Sequence, residues 1–212
     1  MIDLHTWTTP NGRKVSILLE ELGVDYTVKP IDISNDEQFA PDFLKIAPNN
    51  RIPAIVDHDN GMTLMESGAI MLYLADKYDR FQVKGDEYWR MTEWLMWQMG
   101  GLGPMLGQVH HFVKYNAGKS AYSEERYSNE ARRLYKVLNT RLEGRDFVAG
   151  EGRGTYTIAD MSMFPWTARH DWQQIDLNDF PNVRDWYVRI AERPATKRGY
   201  EVPKYVADIP MP

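Results

Sequence analysis

One proline inside an apolar segment limits what the first third of this chain can form. Pro53 stands between Ile52 and the apolar run Ala54, Ile55 and Val56. Proline has no N–H to donate to a sheet ladder, so we expect it at the start of a strand or in a cis-peptide turn beside one. Such a turn would leave the main-chain groups of Ile52 unpaired by the sheet and accessible to an extended ligand.

A second polar feature, Glu66-Ser67, follows at a short interval. Ser67 opens an apolar run that includes Ile70 and Leu74 and that predicts a helix. The start of a helix offers N–H groups and partial positive charge, which favour a carboxylate. Glu66 can accept hydrogen bonds from an ammonium group, so the pair is suited to an amino-acid head group. For an isolated Glu-Ser pair, an N-cap beside a solvated acid is the better interpretation, and the proline strand in front of the pair reverses this in favour of a ligand.

The composition narrows the function classes. The 212 residues, with a mass of 24.7 kDa and 43% hydrophobic residues, suffice for two domains with a sizeable core. A net charge of -5 without clustered Lys and Arg argues against a nucleic-acid partner. No apolar run approaches the ~20 residues of a membrane span, and the first residues lack the pattern of a secretory signal. We therefore expect a soluble, cytoplasmic protein with no membrane partner.

The chain has no cysteine, and this restricts its chemistry more than its charge does. Disulfides, thiolate-ligated metals and cysteine nucleophiles are excluded, so any thiol chemistry must use the sulfur of a ligand. The adjacent His110 and His111 splay apart on a helix, and no carboxylate lies at a helpful spacing. We therefore predict no metal.

The hydrophobic periodicity changes after Phe81 and predicts two domains. Residues 1–80 show a strand-helix-strand unit, then a short helix, a strand after Pro53, a hairpin through Asn60-Gly61 and a final helix, which is the order of a thioredoxin-like domain. Residues 85–212 show helical spacing throughout. Thr157 to Asp160 has the form of a capping box, to which we assign a structural role. Most of the tryptophans in this second part are predicted to be core, and one or two are left as candidates for lining a pocket.

These features resemble the cytosolic glutathione transferases across nearly the whole chain. The resemblance rests on the Ile52-Pro53 strand, on Glu66-Ser67, on the helical second domain and on the late Thr157–Asp160 box. Within the family, four segments look like the nu class, the bacterial glutathione-dependent disulfide-bond oxidoreductases: Thr8-Thr9-Pro10-Asn11-Gly12, the segment from Pro48 to Pro53, the segment from Gly101 to Gln108, and Glu125-Arg126-Tyr127. The fold implied is an α/β thioredoxin-like N-terminal domain that binds glutathione, followed by an all-α domain that forms the second-substrate pocket.

The resemblance implies a set of residues that contact glutathione. Many relatives hold the glutathione sulfur with Tyr, Ser or Cys after the first strand, whereas this chain has Thr9 and Asn11 there. These two residues are the candidates for stabilising the thiolate, although Thr9 as an N-cap and Asn11 as a turn residue remain open alternatives. The resemblance implies further contacts along the tripeptide: Gln38 and Arg51 at the glycyl end, Ile52 and Pro53 along the peptide, Glu66 and Ser67 at the γ-glutamyl head, and Arg126 from the helical domain.

The implied function is a glutathione-dependent thiol-disulfide oxidoreductase that acts on small disulfides and forms a homodimer. Two alternatives stay open at this point. The same thiolate could attack an electrophilic carbon in a conjugation reaction, or the protein could bind glutathione without turnover as a regulator or carrier.

Overall fold

The computed structural model, which describes residues 1–212, places a four-stranded mixed sheet in the N-terminal part of the chain. The strands are β1 (Ile2–Thr6), β2 (Tyr26–Pro30), β3 (Ala54–Asp57) and β4 (Met62–Met65), in the order β2-β1-β3-β4. β1 pairs in parallel with β2 and antiparallel with β3, and β3 and β4 form a hairpin. This topology confirms the thioredoxin-like prediction.

Three helices accompany the sheet: α1 (Pro10–Leu22), α2 (Pro41–Ile46) and α3 (Ser67–Tyr78). Two single turns of 3₁₀-helix, Ile33–Asn35 and Glu37–Phe39, precede α2. α1 connects β1 to β2, since parallel neighbours need a crossover between them. It ends at Gly23, whose left-handed conformation (φ 68°) glycine adopts without steric cost.

The middle and the last turn of α3 are held on the sheet by contacts with Asp57 at the end of β3. The Tyr73 hydroxyl donates a 2.6 Å hydrogen bond to Oδ2 of Asp57, a residue with no exposed surface. Lys77 forms an ion pair with the same carboxylate. A buried carboxylate with two side-chain donors fixes the helix on the sheet, because moving the helix would leave the charge unpaired.

The chain after Tyr78 is helical, as the periodicity predicts. The helices are α4 (Asp86–Trp97), α5 (Gly103–Val109), α6 (Ala121–Arg141), α7 (Ile158–Thr167) and α8 (Pro181–Ala191), and a 3₁₀ turn lies at Leu177–Asp179. π-helical segments, Gln98–Leu102 and His110–Tyr115, flank α5. None of the helices combines the length and the apolar character needed to cross a membrane.

The last helix, α9 (Pro194–Tyr200), packs on α1. A Cβ at Gly199 would stand 2.6 Å from Cα of Ile17, so only glycine allows this approach. The Ser16 hydroxyl donates a 2.6 Å hydrogen bond to the Gly199 carbonyl. Met1–Arg80 and Glu192–Ile209 therefore form one unit, and Phe81–Ala191 with Pro210–Pro212 form the other. The predicted helical domain of residues 85–212 differs from this division at the segment that contains α9.

The start of α7 carries the predicted capping box in a fully buried setting. Asp160 Oδ2 accepts hydrogen bonds from the Thr157 amide (3.0 Å) and hydroxyl (3.1 Å). Its Oδ1 accepts from the Val148 amide and from Trp186 Nε1, both at 3.0 Å. Burial raises the pKa of Asp160 to about 6, while these hydrogen bonds act in the opposite direction.

The tryptophan prediction is only partly right. Trp186 has no exposed surface, but Trp89 is 69% exposed, and Trp94, Trp97, Trp166 and Trp172 are partly exposed. Periodicity identifies the apolar face of a helix without showing how much of a large ring the neighbouring elements cover. Trp89 is therefore not a core residue, contrary to the prediction made for most of these tryptophans.

Candidate functional site

A pocket of about 140 Å³ lies in the first unit, where α1 and α3 begin beside the entrance to β3. It brings together six of the predicted site residues and adds two others. The lining residues are Asn11, Asn49, Arg51, Ile52, Pro53, Met65, Glu66 and Ser67. Segments far apart in sequence thus contribute polar groups to one concave site.

The Ile52-Pro53 peptide bond is cis, and Pro53 is buried directly before β3. The sheet register begins at Ala54, which pairs with His5 on one side and with Met65 on the other. Ile52 therefore lies outside the ladder and in the pocket wall. This is one of the two positions that the proline pattern predicts.

Glu66 and Ser67 differ in exposure and in backbone conformation. Glu66 is exposed and has φ 70° and ψ 112°, a region that side chains other than glycine rarely adopt. Ser67 is the first residue of α3 and is 7% exposed. The Glu66 side chain, at the N-cap position, makes no capping hydrogen bond to this helix. The strained residue, the helix start and the pocket coincide, which is typical of a binding site.

Lys14, which is not part of the motifs that predict the site, lies next to this helix start. Its side chain is 2% exposed, and Nζ is 3.4 Å from Ser67 Oγ. Burial lowers the pKa of Lys14 to about 7, and the nearby Glu66 carboxylate raises it. One signal was present in the sequence: Arg13 and Lys14 fall near the start of α1, where the helix macrodipole favours acidic residues.

The two candidates for thiolate stabilisation have different surroundings. Asn11 lines the pocket from the first turn of α1. Thr9 is the N-cap of α1, and its Oγ1 accepts a 3.2 Å hydrogen bond from the Gly12 amide. A Cβ at Gly12 would stand 2.3 Å from the Trp7 carbonyl oxygen, so the loop and the helix start are tightly packed. The capping role left open for Thr9 is present, and its hydroxyl proton can still be donated elsewhere.

Gln38 and Arg126 do not line this pocket. Gln38 is half-buried, and its Nε2 lies 3.4 Å from Asp36 Oδ1. Arg126 belongs to the second unit, where it lines a cavity of about 410 Å³ together with Met105 and Arg133. The contacts of both residues with a ligand stay predictions.

No group of three or more His, Cys, Asp or Glu side chains in the chain is arranged to hold a metal ion. His110 is instead part of a buried network, in which Gln173 Nε2 lies 3.1 Å from His110 Nε2. Gln173 Oε1 accepts a 2.7 Å hydrogen bond from the Tyr135 hydroxyl. Burial lowers the pKa of His110 to about 4, so the imidazole is neutral near pH 7.

The sheet topology, the cis-proline strand and the polar helix start are those of a thioredoxin-like fold followed by a helical region. Two family models match the chain. The "Glutathione S-transferase, N-terminal domain" matches residues 2–76, and the "Glutathione S-transferase, C-terminal domain" matches residues 102–194. The chain belongs to the glutathione S-transferase family.

Similar proteins include disulfide-bond oxidoreductase YfcG of Escherichia coli (strain K12), which is 48% identical over 202 residues, 92% of this chain and 93% of that protein. A glutathione transferase from Pseudomonas putida, solved with one glutathione disulfide per subunit, matches with a TM-score of 0.88 and 37% identity over 95% of this chain and 91% of that chain. A family member from Pseudomonas fluorescens, solved with two glutathione bound, matches with a TM-score of 0.88 and 39% identity over 95% and 93%.

Proposed function

We propose that this protein is a glutathione-dependent thiol-disulfide oxidoreductase that uses the thiolate of bound glutathione on small disulfides. The observation that carries the proposal is the pocket, because Asn11 and the Glu66-Ser67 pair line one site in a chain without cysteine. The proposal includes a homodimer in the cytoplasm, as the resemblance implies. The 48% identity to a disulfide-bond oxidoreductase supports it.

Each part of glutathione, from the γ-glutamyl head to the glycyl end, would have a partner among the pocket residues. Ser67 and the start of α3 would receive the α-carboxylate of the γ-glutamyl head, and Glu66 would accept from its ammonium group. The main chain of Ile52, outside the sheet ladder, would pair with the cysteinyl peptide unit. Arg51, exposed at the rim, would pair with the glycyl carboxylate. Gln38 would assist at that end, and Arg126 would approach from the helical domain.

The volume of the pocket suggests which part of the ligand is enclosed. Pockets that bury most of a drug-sized ligand usually measure about 300 Å³ or more. This one measures about 140 Å³, so it would hold the γ-glutamyl head, and the rest of the tripeptide would lie along the surface. Specificity for the head group would then depend mainly on Glu66 and Ser67.

The proposed reaction starts from the glutathione sulfur. Asn11, through its amide N–H, and Thr9, through its hydroxyl, would donate to the sulfur at the positive end of α1, which favours the thiolate over the thiol. The thiolate attacks one sulfur of the disulfide RSSR, forming the mixed disulfide GSSR and releasing RS⁻, which takes up a proton. A second glutathione thiolate attacks GSSR, which gives glutathione disulfide and the second thiol. Two glutathione molecules are oxidised and one disulfide is reduced.

Conjugation is the second candidate function, because it shares the thiolate and differs only in the acceptor. A relative named glutathione S-transferase 1, from Schizosaccharomyces pombe, is 33% identical over 91% of this chain and 91% of that protein. This similarity supports conjugation as the second candidate. A binding protein without turnover is the remaining alternative. All three functions predict glutathione binding, so only turnover distinguishes them.

The first test is reduction of a small model disulfide by glutathione, coupled to glutathione reductase, with the purified protein. We expect turnover well above the uncatalysed exchange. Absence of turnover, together with formation of a thioether from a model electrophile, would replace the proposal by conjugation. Absence of both activities in a protein that binds glutathione would indicate a binding role.

The second test replaces Asn11 by Ala. Loss of one donor to a developing or stabilised anion costs about 100-fold in kcat, whereas the affinity for glutathione should change by less than about threefold. The matched control is Asn35→Ala, since Asn35 is an exposed asparagine of the same unit that bonds to Asp32. Full activity of the Asn11 variant would refute the assignment of this residue.

A further inference from the structure

Lys14 is a buried cation behind one wall of the pocket. It follows Asn11 by three residues on α1, so the two side chains share a helix face. Asn11 reaches the pocket itself, whereas Lys14 contacts Ser67 Oγ, 3.4 Å from its Nζ. Only 2% of Lys14 is exposed.

A lysine is a costly residue at this position. Burying a charged side chain costs free energy even where it has partners, and an apolar side chain of similar length would fill the space without that cost. The macrodipole opposes a cation in the first turns of a helix, and α1 has no acidic residue there. Local rules are broken in this way mainly at functional sites.

We propose that Lys14 is a positioning residue and buried counter-charge for the α-carboxylate of the ligand, and that ligand binding draws a proton onto it. The inference deepens the proposed function and rests on it. An ammonium group only donates, so Ser67 Oγ accepts from Lys14, and this contact fixes the position of a side chain that lines the pocket. The ammonium charge also lies behind the place where the carboxylate would dock.

The Glu66 carboxylate is a charge that acts on Lys14. Burial lowers the pKa of Lys14 to about 7, and the Glu66 carboxylate raises it. The other charged groups on the elements around α1 are engaged elsewhere: Arg13 stacks on Tyr200, Glu20 pairs with Arg198, Glu21 with Arg193, Lys77 with Asp57, and Asp3 with Lys29 and His58. A ligand carboxylate beside Ser67 adds negative charge and raises the pKa further, so binding near pH 7 takes up a proton.

The test uses S-hexylglutathione, whose sulfur carries no proton, and isothermal titration calorimetry in buffers of different ionisation enthalpy. We expect an uptake of about half a proton per bound ligand at pH 7 and a Kd that rises about fivefold between pH 7 and pH 8, because the fraction of charged Lys14 falls. No histidine lines the pocket, so none competes as the source of this signal.

Two substitutions assign the proton to Lys14. Lys14→Met should weaken binding about tenfold at pH 7 and abolish proton uptake, because it removes a charged donor and leaves the volume nearly unchanged. Lys14→Arg keeps a charge that does not titrate, so binding should no longer depend on pH in this range. Lys45→Met is the control, since Lys45 is an exposed lysine of the same unit that pairs with Asp42, and it should change neither quantity.

The outcomes separate the two proposals. Binding of S-hexylglutathione without proton uptake between pH 6.5 and pH 8, or uptake that persists in Lys14→Met, overturns the role of Lys14 and leaves the glutathione site intact. If neither Lys14 variant folds, the proton count of the unmodified protein still decides. Absence of any binding overturns the proposed function and this inference together.

Discussion

The helices α3 and α7 both begin with a polar pair, yet the two helix starts are used in opposite ways. At α7, Asp160 accepts hydrogen bonds from the Thr157 amide and hydroxyl, and the residue has no exposed surface. At α3, Glu66 is exposed, makes no capping hydrogen bond and has φ 70° beside a pocket. The first start is satisfied by its own side chains, and the second is the one that we propose to receive a ligand.

This difference distinguishes a helix cap from a ligand site where the residue types are alike. A helix start needs acceptors for its first N–H groups. Where the chain supplies them from within, as at Asp160, the polar pair stabilises the fold. Where the N-cap side chain makes no such hydrogen bond and the backbone is strained, as at Glu66, we expect the acceptor to come from a ligand.

The largest expected effect is on stability, at the start of α7, where Asp160 caps the helix. Asp160→Ala removes the acceptor of the Val148 amide and of Trp186 Nε1 as well as of the Thr157 groups. Each buried donor left without a partner costs about 1–3 kcal/mol, so we expect the free energy of unfolding to fall by about 4 kcal/mol. Urea denaturation followed by circular dichroism measures this. The control, Asp185→Ala on the exposed face of α8, should change it by less than about 0.5 kcal/mol.

A loss below about 1 kcal/mol for Asp160→Ala would show that the capping box contributes little, and the contrast with α3 would then fail on the structural side.

The next effect is on the affinity for the ligand, at the start of α3 beside Glu66. Glu66→Ala removes the proposed acceptor of the ligand ammonium group, so the Kd for S-hexylglutathione should rise about 100-fold, equivalent to about 2.7 kcal/mol. Stability should change by less than about 1 kcal/mol, because the side chain is exposed and caps nothing. Calorimetric titration and urea denaturation give the two quantities. Asp42→Ala, at an exposed acid paired with Lys45, is the control and should leave the Kd unchanged.

An unchanged Kd in Glu66→Ala would remove the recognition of the ammonium group from the proposal, and the α3 start would then resemble any exposed helix end.

The smallest effect isolates the backbone strain at Glu66. Glu66→Gly and Glu66→Ala both lack the carboxylate, but only glycine adopts φ 70° and ψ 112° without cost. We expect the glycine variant to be more stable than the alanine variant by about 1 kcal/mol, measured by urea denaturation. At Glu125, an exposed position inside α6, the order should reverse, with glycine less stable than alanine by about 1 kcal/mol. The same order at both positions would argue against strain at Glu66.

Much of the fold could be read from local sequence patterns. Strand alternation, Gly23, the turn at Asn60-Gly61 and the helical spacing after Phe81 act over a few residues, so they predict the elements well. The grouping of α9 with α1 could not be read in this way. It depends on Gly199 meeting Ile17, and these residues are too far apart in sequence for any local pattern to connect them.

The sequence also predicted part of the candidate site. Asn11, Arg51, Ile52, Pro53, Glu66 and Ser67 were expected from their motifs and line one pocket. The exposure of Trp89 was missed, because covering a large ring depends on neighbouring elements. Lys14 was missed for the same reason: its burial and its contact with Ser67 exist only after α1 and α3 have packed.

The residue types alone define which chemistry the protein has available: no cysteine, a proline that interrupts a strand, and a carboxylate with a hydroxyl at a helix start. These are properties of residue types and short spacings, and folding does not change them. The packing of distant segments settles which polar pair closes on itself, as at Asp160, and which faces a pocket, as at Glu66. Burial and hydrogen-bond partners come from those segments, and they govern whether a polar group is satisfied by the chain or is open to a ligand.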